Sequence, residues 1–212
     1  MNLSDVEFCD RFKGYHYMAT IGKEPFKTAF VINAIFNVPF CITATLANFL
    51  VIVSIWRSYT LRTPGNMLLI GLALSDLGVG VLVQPSFIAY LLSFAIRGAE
   101  RFTCISAVAL NSAASCLSCV SFGTVTAISL ERYLSLRLHL RYEEIITATR
   151  VRRFLVILWL LGGISPFVWV LLVPRYKSYY YVAGILLCLL ISTLAYIKIC
   201  HIVRFQDRKS VV

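Results

Sequence analysis

The sequence predicts an all-α fold, a polytopic bundle of transmembrane helices, on two observations. Of 212 residues, 59% are hydrophobic and only 14% are charged, where a soluble domain carries about 25% charged residues. The deficit is gathered into five apolar runs, each near the roughly 20 residues that a helix needs to cross hydrocarbon. The net charge of +10 does not point to nucleic acid, because the basic residues sit at the ends of those runs. Bases in such places meet lipid headgroups and set orientation. The bilayer is therefore an expected partner, and nucleic acid is not.

Residues 1–27 are mixed in charge and hold no apolar core of a cleavable signal peptide. The bundle is expected over 28–204, with spans at about 28–56, 66–96, 104–134, 154–173 and 179–203. The first span is interrupted by Asn33, Asn37 and Asn48, and a short loop with turn-forming Pro64 and Gly65 follows it. The second carries Asp76 and Pro85. In the third, Asn111, Ser112, Ser115, Ser118 and Ser121 are too polar for a helix facing lipid all round and suit one enclosed by others. A basic loop, 137–153, leads to the fourth span, which holds Trp159 and Pro166. A short turn at 174–178 opens the fifth, and residues 205–212 form a polar tail. Trp159 suits packing, and the two prolines suit kinks.

Lysine and arginine counts set the orientation. Arg57, Arg62, Arg132, Arg137, Arg141, Arg150, Arg152, Arg153, Lys198, Arg204, Arg208 and Lys209 fall on one face if the N-terminus lies outside. That bias predicts an extracellular N-terminal segment and a cytoplasmic C-terminal tail. Of the seven cysteines, none forms a metal-ligand pattern. Cys9 and Cys104 are the two placed for an oxidising face, and a bridge between them is the expectation. There is no Ser-His-Asp set, Walker loop, HExxH or CxxC pairing, so enzymatic chemistry and a dedicated cofactor are not expected.

Two places carry cost that packing alone does not explain. Asp76 lies near mid-bilayer, where insertion charges about 2.5–3.5 kcal/mol for an aspartate, so it should face the bundle interior with a partner. Asn48 and Ser121 stand at comparable depth, and hard oxygen ligands of this kind suit a small cation with water. A protonated aspartate with only a packing role is the alternative. Glu131, Arg132 and Tyr133 place an adjacent acid, base and aromatic where the third apolar run meets an arginine-rich loop, suited to an ion pair at the cytoplasmic interface.

These residues resemble the class A, rhodopsin-like G-protein-coupled receptors from the first span to the fifth. Asn48 after Thr45, Leu46 and Ala47 looks like the first-helix asparagine motif. Leu61 to Asn66, then Leu72, Ala73, Leu74, Ser75 and Asp76, is similar to the second-helix entry and its sodium-site aspartate. Glu131-Arg132-Tyr133 resembles the third-helix D/E-R-Y motif, Trp159 the fourth-helix tryptophan, and Tyr196 the fifth-helix tyrosine. In the loop from Leu138 to Tyr142, Leu140 stands where a hydrophobic residue docks into the Gα subunit. The resemblance implies a cell-membrane receptor that passes an extracellular ligand's signal to heterotrimeric G proteins. Glu131 would hold Arg132 at rest, Tyr196 would engage Arg132 on activation, and Asp76, Asn48 and Ser121 would form an allosteric sodium site.

The departures shape the expectation further. The family has seven helices and this sequence shows five spans, so a receptor truncated after the fifth is expected. The alternatives are a non-signalling product that associates with a full-length receptor, and an ion-coupled transporter, for which no paired halves are visible. The short, cysteine-free connection between the fourth and fifth spans, with Cys188 where a proline usually stands, is similar to the melanocortin, cannabinoid and lysolipid branch. Ala114 falls where amine receptors carry an aspartate, so with Asn111 and Ser115 it leaves a fairly neutral pocket wall, suited to a lipid or small polar ligand.

Overall fold

A computed structural model of the chain describes residues 24–61, 63–93, 100–138, 141–171 and 174–210. Five long helices account for nearly all of them: α1 (Glu24–Arg57), α2 (Pro64–Ser93), α3 (Glu100–Leu138), α4 (Ala148–Leu171) and α5 (Pro174–Ser210). Lys27–Arg57, Pro64–Ser93, Phe102–Leu138 and Val182–Arg204 are long and apolar enough to cross a membrane. In α4, residues 154–171 include no charged side chain. The chain is a multi-pass membrane protein. Its helices run past the apolar spans by several residues, because a span counts only hydrocarbon-compatible residues whereas backbone hydrogen bonding continues into the interface.

Helix starts follow ordinary capping chemistry. Thr63 caps α2: its Oγ1 accepts from the Asn66 N–H at 3.3 Å, and Pro64 opens the helix where its missing N–H costs nothing. The Asn66 amide reaches back to the Leu61 carbonyl at 2.8 Å and closes the turn between α1 and α2. Thr147 caps α4 in the same way through the Arg150 N–H. Pro174 opens α5 directly, so residues 174–178, expected as a turn, are its first helical turn.

Pro85 acts on α2 through the turn before it. Val79–Val83 is widened into a π-helical turn, closed by the Gln84 N–H to the Val79 carbonyl. Proline cannot supply the next α-helical donor, and a wider turn relieves the clash of its ring with the preceding backbone. In α1, Pro39 lies inside the helix, and the Thr43 hydroxyl donates to its carbonyl at 2.8 Å.

The chain divides into two compact units. The first comprises, among described residues, 24–47 and 76–114. There α1 and α2 approach closely at Gly80, whose carbonyl accepts from the Cys41 thiol at 3.1 Å. A Cβ on Gly80 would stand 3.0 Å from the Thr45 backbone nitrogen.

The second unit comprises Asn48–Ser75 and the described residues from Ser115 onward. Here α3 and α4 meet at Gly162, where an added Cβ would come within 3.0 Å of the Cys116 carbonyl and 2.7 Å of Val120 Cγ2. Small residues permit such approaches where no hydrophobic effect drives helices together. Large apolar side chains such as Leu50, Leu160 and Leu186 point outward, as suits lipid. Of the polar residues expected along α3, Ser115 is buried and Ser118 and Ser121 are half-buried in this unit, and Thr124 and Ser129 beyond them are buried as well.

Candidate functional site

The end of α3 carries the densest polar chemistry. Glu131 is buried at 8% side-chain exposure, whereas its neighbour Arg132 is 55% exposed, and Arg132 Nε lies 3.6 Å from Glu131 Oε2. The expected ion pair is therefore present but loose, beyond hydrogen-bond range. The tighter partner is Tyr142, whose hydroxyl donates to Glu131 Oε1 at 2.5 Å. Tyr142 begins a one-turn helix, Tyr142–Ile145, in the connection between α3 and α4. Burial, then the hydrogen bond to Glu131 and its charge, push the Tyr142 phenol up to about 12, and Arg132 opposes them.

The carboxylate also fits against α2. A Cβ on Gly65 would stand 2.9 Å from Glu131 Oε1, so a larger residue at the start of α2 would push the carboxylate aside. Among the described residues, Glu131 Oε2 has no hydrogen-bond partner. Three segments thus converge on one acid: α3 supplies it, α2 makes room for it, and the loop helix binds it.

Tyr133, the next residue but one, has a different environment. Arg137 Nη1 donates to its hydroxyl at 3.0 Å, and the Arg137 guanidinium lies 5.9 Å from the ring centroid. From α5, Lys198 Nζ lies 5.6 Å from the same centroid. Tyr196, two residues before Lys198, is 54% exposed.

Deeper in this unit, Ser121 Oγ donates to Ser75 Oγ at 2.8 Å, and the Ser75 hydroxyl donates to the Leu72 carbonyl at 2.8 Å. Ser75 is fully buried and directly precedes Asp76. Asn48 lies on α1 and Asp76 on α2. Of the expected ligand-wall residues, Asn111 donates its amide to the Ala107 carbonyl at 2.8 Å, Ala114 is half-buried and Ser115 is buried. Cys104 is disulfide-bonded, whereas Cys41, Cys116, Cys119, Cys188 and Cys200 are free. Cys9 and Leu140 lie outside the described residues.

A sequence profile of the family "7 transmembrane receptor (rhodopsin family)" matches residues 47–180. The chain belongs to this family. The matched region contains the α2 entry, Asp76, the Glu131–Tyr142 contact and Trp159, whereas Tyr196 and Lys198 lie beyond it. Among curated relatives, adenosine receptor A2b of Mus musculus is 33% identical over 129 residues, covering 58% of this chain and 36% of that receptor. Human adenosine receptor A2b is 32% identical over 125 residues, covering 57% and 35%. Adenosine receptor A2a of Cavia porcellus is 31% identical over 130 residues, covering 59% and 30%. The similarity thus spans about a third of the length of these relatives. A family of receptors also accords with the absence of catalytic motifs from the sequence.

Sequence reasoning found Glu131, Arg132 and Tyr133 but assigned the pairing to Arg132 alone. Tyr142 carried no signal of its role, since it lies eleven residues beyond Glu131 and across a loop. Gly65 read only as a turn former. Ser75 was hidden by the charge beside it.

Proposed function

We propose that this chain supplies the first five helices of a plasma-membrane receptor that passes an extracellular ligand's signal to heterotrimeric G proteins. The observation that carries this reading is the burial of Glu131 beside an exposed Arg132. A carboxylate withdrawn from water and gripped by Tyr142 leaves the arginine loosely tethered, and a loosely tethered arginine can exchange partners at little cost. Glu131 and Tyr142 would hold the resting arrangement. Arg132 would turn to Tyr196 and the G protein on activation, while Leu140 would dock into the Gα subunit. A two-state bias of this kind requires a ligand with different affinities for the two states.

The positive-inside bias supports an outside N-terminus and a cytoplasmic Glu131 cluster. The names of the relatives, together with the neutral residues Asn111, Ala114 and Ser115, favour a small neutral ligand of the nucleoside kind as the first to try. Asp76, Asn48 and Ser121 would hold a sodium ion, which suits a donor set made wholly of hard oxygens. When bound, that ion would neutralise the buried aspartate. The Cys104 bond would join Cys9, since the five remaining cysteines are free.

The test is nucleotide exchange on a purified heterotrimer, with the longest reading frame that contains this sequence expressed at the cell surface. Arg132→Ala should abolish ligand-stimulated exchange while surface expression persists. Retained coupling would reduce Arg132 to a topological flank and remove the reading.

A further inference from the structure

The connection between α3 and α4 holds a four-residue pattern that the proposed switch does not absorb. Tyr142 is followed by Glu143, Glu144 and Ile145, and these are the only two acids between Arg137 and Arg153. Acids contribute little to membrane orientation, which lysine and arginine set. The four residues form the one-turn helix. Glu143 and Glu144 are exposed, and Ile145 beside them is 40% exposed in a charged loop, away from the apolar spans. Two side-chain hydrogen bonds among the described residues tie this turn to the long helices. The Tyr142 hydroxyl donates to Glu131 Oε1, and Arg150 Nη1 of α4 donates to the Ile145 carbonyl at 2.8 Å. A single turn with so little apolar burial belongs to the low-stability end of a fold and opens locally.

We propose that Tyr142 is a tyrosine-phosphorylation site restrained by Glu131, and that phosphorylated Tyr142–Ile145 docks a phosphotyrosine-binding domain of the Src-homology-2 kind. The two acids suit the basic peptide groove of a kinase. In the transfer, the Tyr142 phenol oxygen bonds to the γ-phosphorus of a magnesium-bound nucleoside triphosphate. The bond from that phosphorus to the β–γ bridging oxygen breaks, the diphosphate leaves, and the phenol proton passes to a base of the kinase. The product carries about −1.5 to −2 charges near neutral pH and has lost the proton that Glu131 accepted. Like-charge repulsion then bars its return to the buried carboxylate, so the turn stays released. Nine residues, 139–147, join α3 to α4. Extended, they reach about 30 Å, whereas packed helices stand about 8–10 Å apart, so the segment can be presented without unwinding either helix. Tyr142 and Ile145 are about 4.5 Å apart along a helix axis and about 10 Å apart along an extended chain. A partner with an arginine pocket for the phosphate and a separate apolar pocket for Ile145 reads the extended form. Access to a cytosolic kinase rests on the orientation proposed above; the chemistry of the segment does not.

The test incubates the whole chain in detergent with magnesium ATP and the isolated catalytic domain of a non-receptor tyrosine kinase. Peptide mass mapping then reads which tyrosine gains phosphate. Tyr142 should react at least about fivefold faster than Tyr59, which is 81% exposed but has no acid after it before Asp76. Glu131→Gln replaces a charge-assisted hydrogen bond by a neutral one and should speed reaction at Tyr142 about threefold, with Tyr59 unchanged. Binding to an immobilised Src-homology-2 domain that prefers isoleucine three residues after phosphotyrosine is measured next. The phosphorylated chain should bind at least about a hundredfold more tightly than the unmodified chain, and Ile145→Ser, phosphorylated to the same extent, should lose about tenfold. Faster reaction at Tyr59, an unchanged rate in Glu131→Gln, or full binding by phosphorylated Ile145→Ser would each overturn the proposal. Detergent exposes both faces of the protein, and exchange on the G protein is not the readout, so failure of the receptor reading is separately visible.

Discussion

Replacing Tyr142 by phenylalanine removes one oxygen and isolates the contact on which the proposed resting arrangement depends. That oxygen donates to Glu131 Oε1 at 2.5 Å, and the other carboxylate oxygen already has no hydrogen-bond partner among the described residues. After the change, a side chain only 8% exposed keeps a single opposite charge, Arg132 Nε at 3.6 Å. Hydrogen bonds to charged groups contribute about 1.5–3 kcal/mol net. Tyr142 is half-buried, so water compensates part of the loss and about 1.5 kcal/mol is the appropriate figure. This corresponds to about tenfold in an equilibrium constant. A double-mutant cycle with Glu131→Ala separates the contact from the side effects of each substitution. The assay is reversible unfolding of the chain in mixed micelles. A coupling energy of about 1.5 kcal/mol is expected; independent sites add within about 0.3–0.5 kcal/mol, and additivity at that level would refute the pairing.

The same contact has a pH signature of definite sign. The Tyr142 phenol is raised from 10.0 to about 12, chiefly by burial and then by Glu131. Between those values the folded chain keeps a proton that the unfolded chain has lost, so stability falls as pH rises. The contribution is intact below about pH 10 and gone above about pH 12. Lysines titrate nearby, so the measurement is the difference between the wild-type chain and Tyr142→Phe across that window. Parallel curves would contradict the assignment.

Three further outcomes are expected. Sodium chloride should raise the thermal stability of the reconstituted chain relative to choline chloride, by about 1.4 kcal/mol at a concentration tenfold above the dissociation constant; Asp76→Asn should erase the difference, and its persistence would remove Asp76 from the site. Adjacent glycines in α4 should respond oppositely to alanine. Gly162→Ala places a Cβ 3.0 Å from the Cys116 carbonyl and should cost about 1–3 kcal/mol through overpacking, whereas Gly163→Ala meets nothing within 4 Å and should gain up to about 1 kcal/mol of helix propensity. Mass mapping without reduction should find Cys104 linked to Cys9, and a free Cys104 thiol would rule that pairing out.

Helices of this chain were legible because their signal is additive. Many apolar residues in one window outweigh any single exception, whereas the starts at Thr63-Pro64 and Thr147, read as loop, are set by local capping chemistry. The polar pairs were not legible, because each depends on two residues that the chain path happens to join. Ser121 was expected at the depth of Asp76, and nothing in the sequence announced its hydrogen bond to Ser75, one position earlier. A one-residue step on a helix turns a side chain by about 100°, which depth arguments along the axis do not resolve. Pro85 likewise announced a distortion, but its form as a π-helical turn at Val79–Val83 depends on which carbonyl the Gln84 N–H finds.

Glu131 shows why an acid is worth burying at such a place. Burial alone disfavours the charged form, and an exposed Glu131–Arg132 pair would be worth about 0–1 kcal/mol. Such a pair would hold nothing that salt could not loosen. Sinking the carboxylate against Gly65 and binding it through Tyr142 moves the holding interaction away from water, while Arg132 remains at the surface. The acid is then fixed by three segments and the base by none of comparable strength. If the acid and the base were equally buried, releasing the base would leave an unpaired buried charge, at a cost of several kcal/mol. Here Arg132 can leave without uncovering Glu131, because Tyr142 stays. The asymmetry in exposure, 8% against 55%, is therefore what would permit Arg132 to change partners in the proposed switch while the fold around Glu131 is kept.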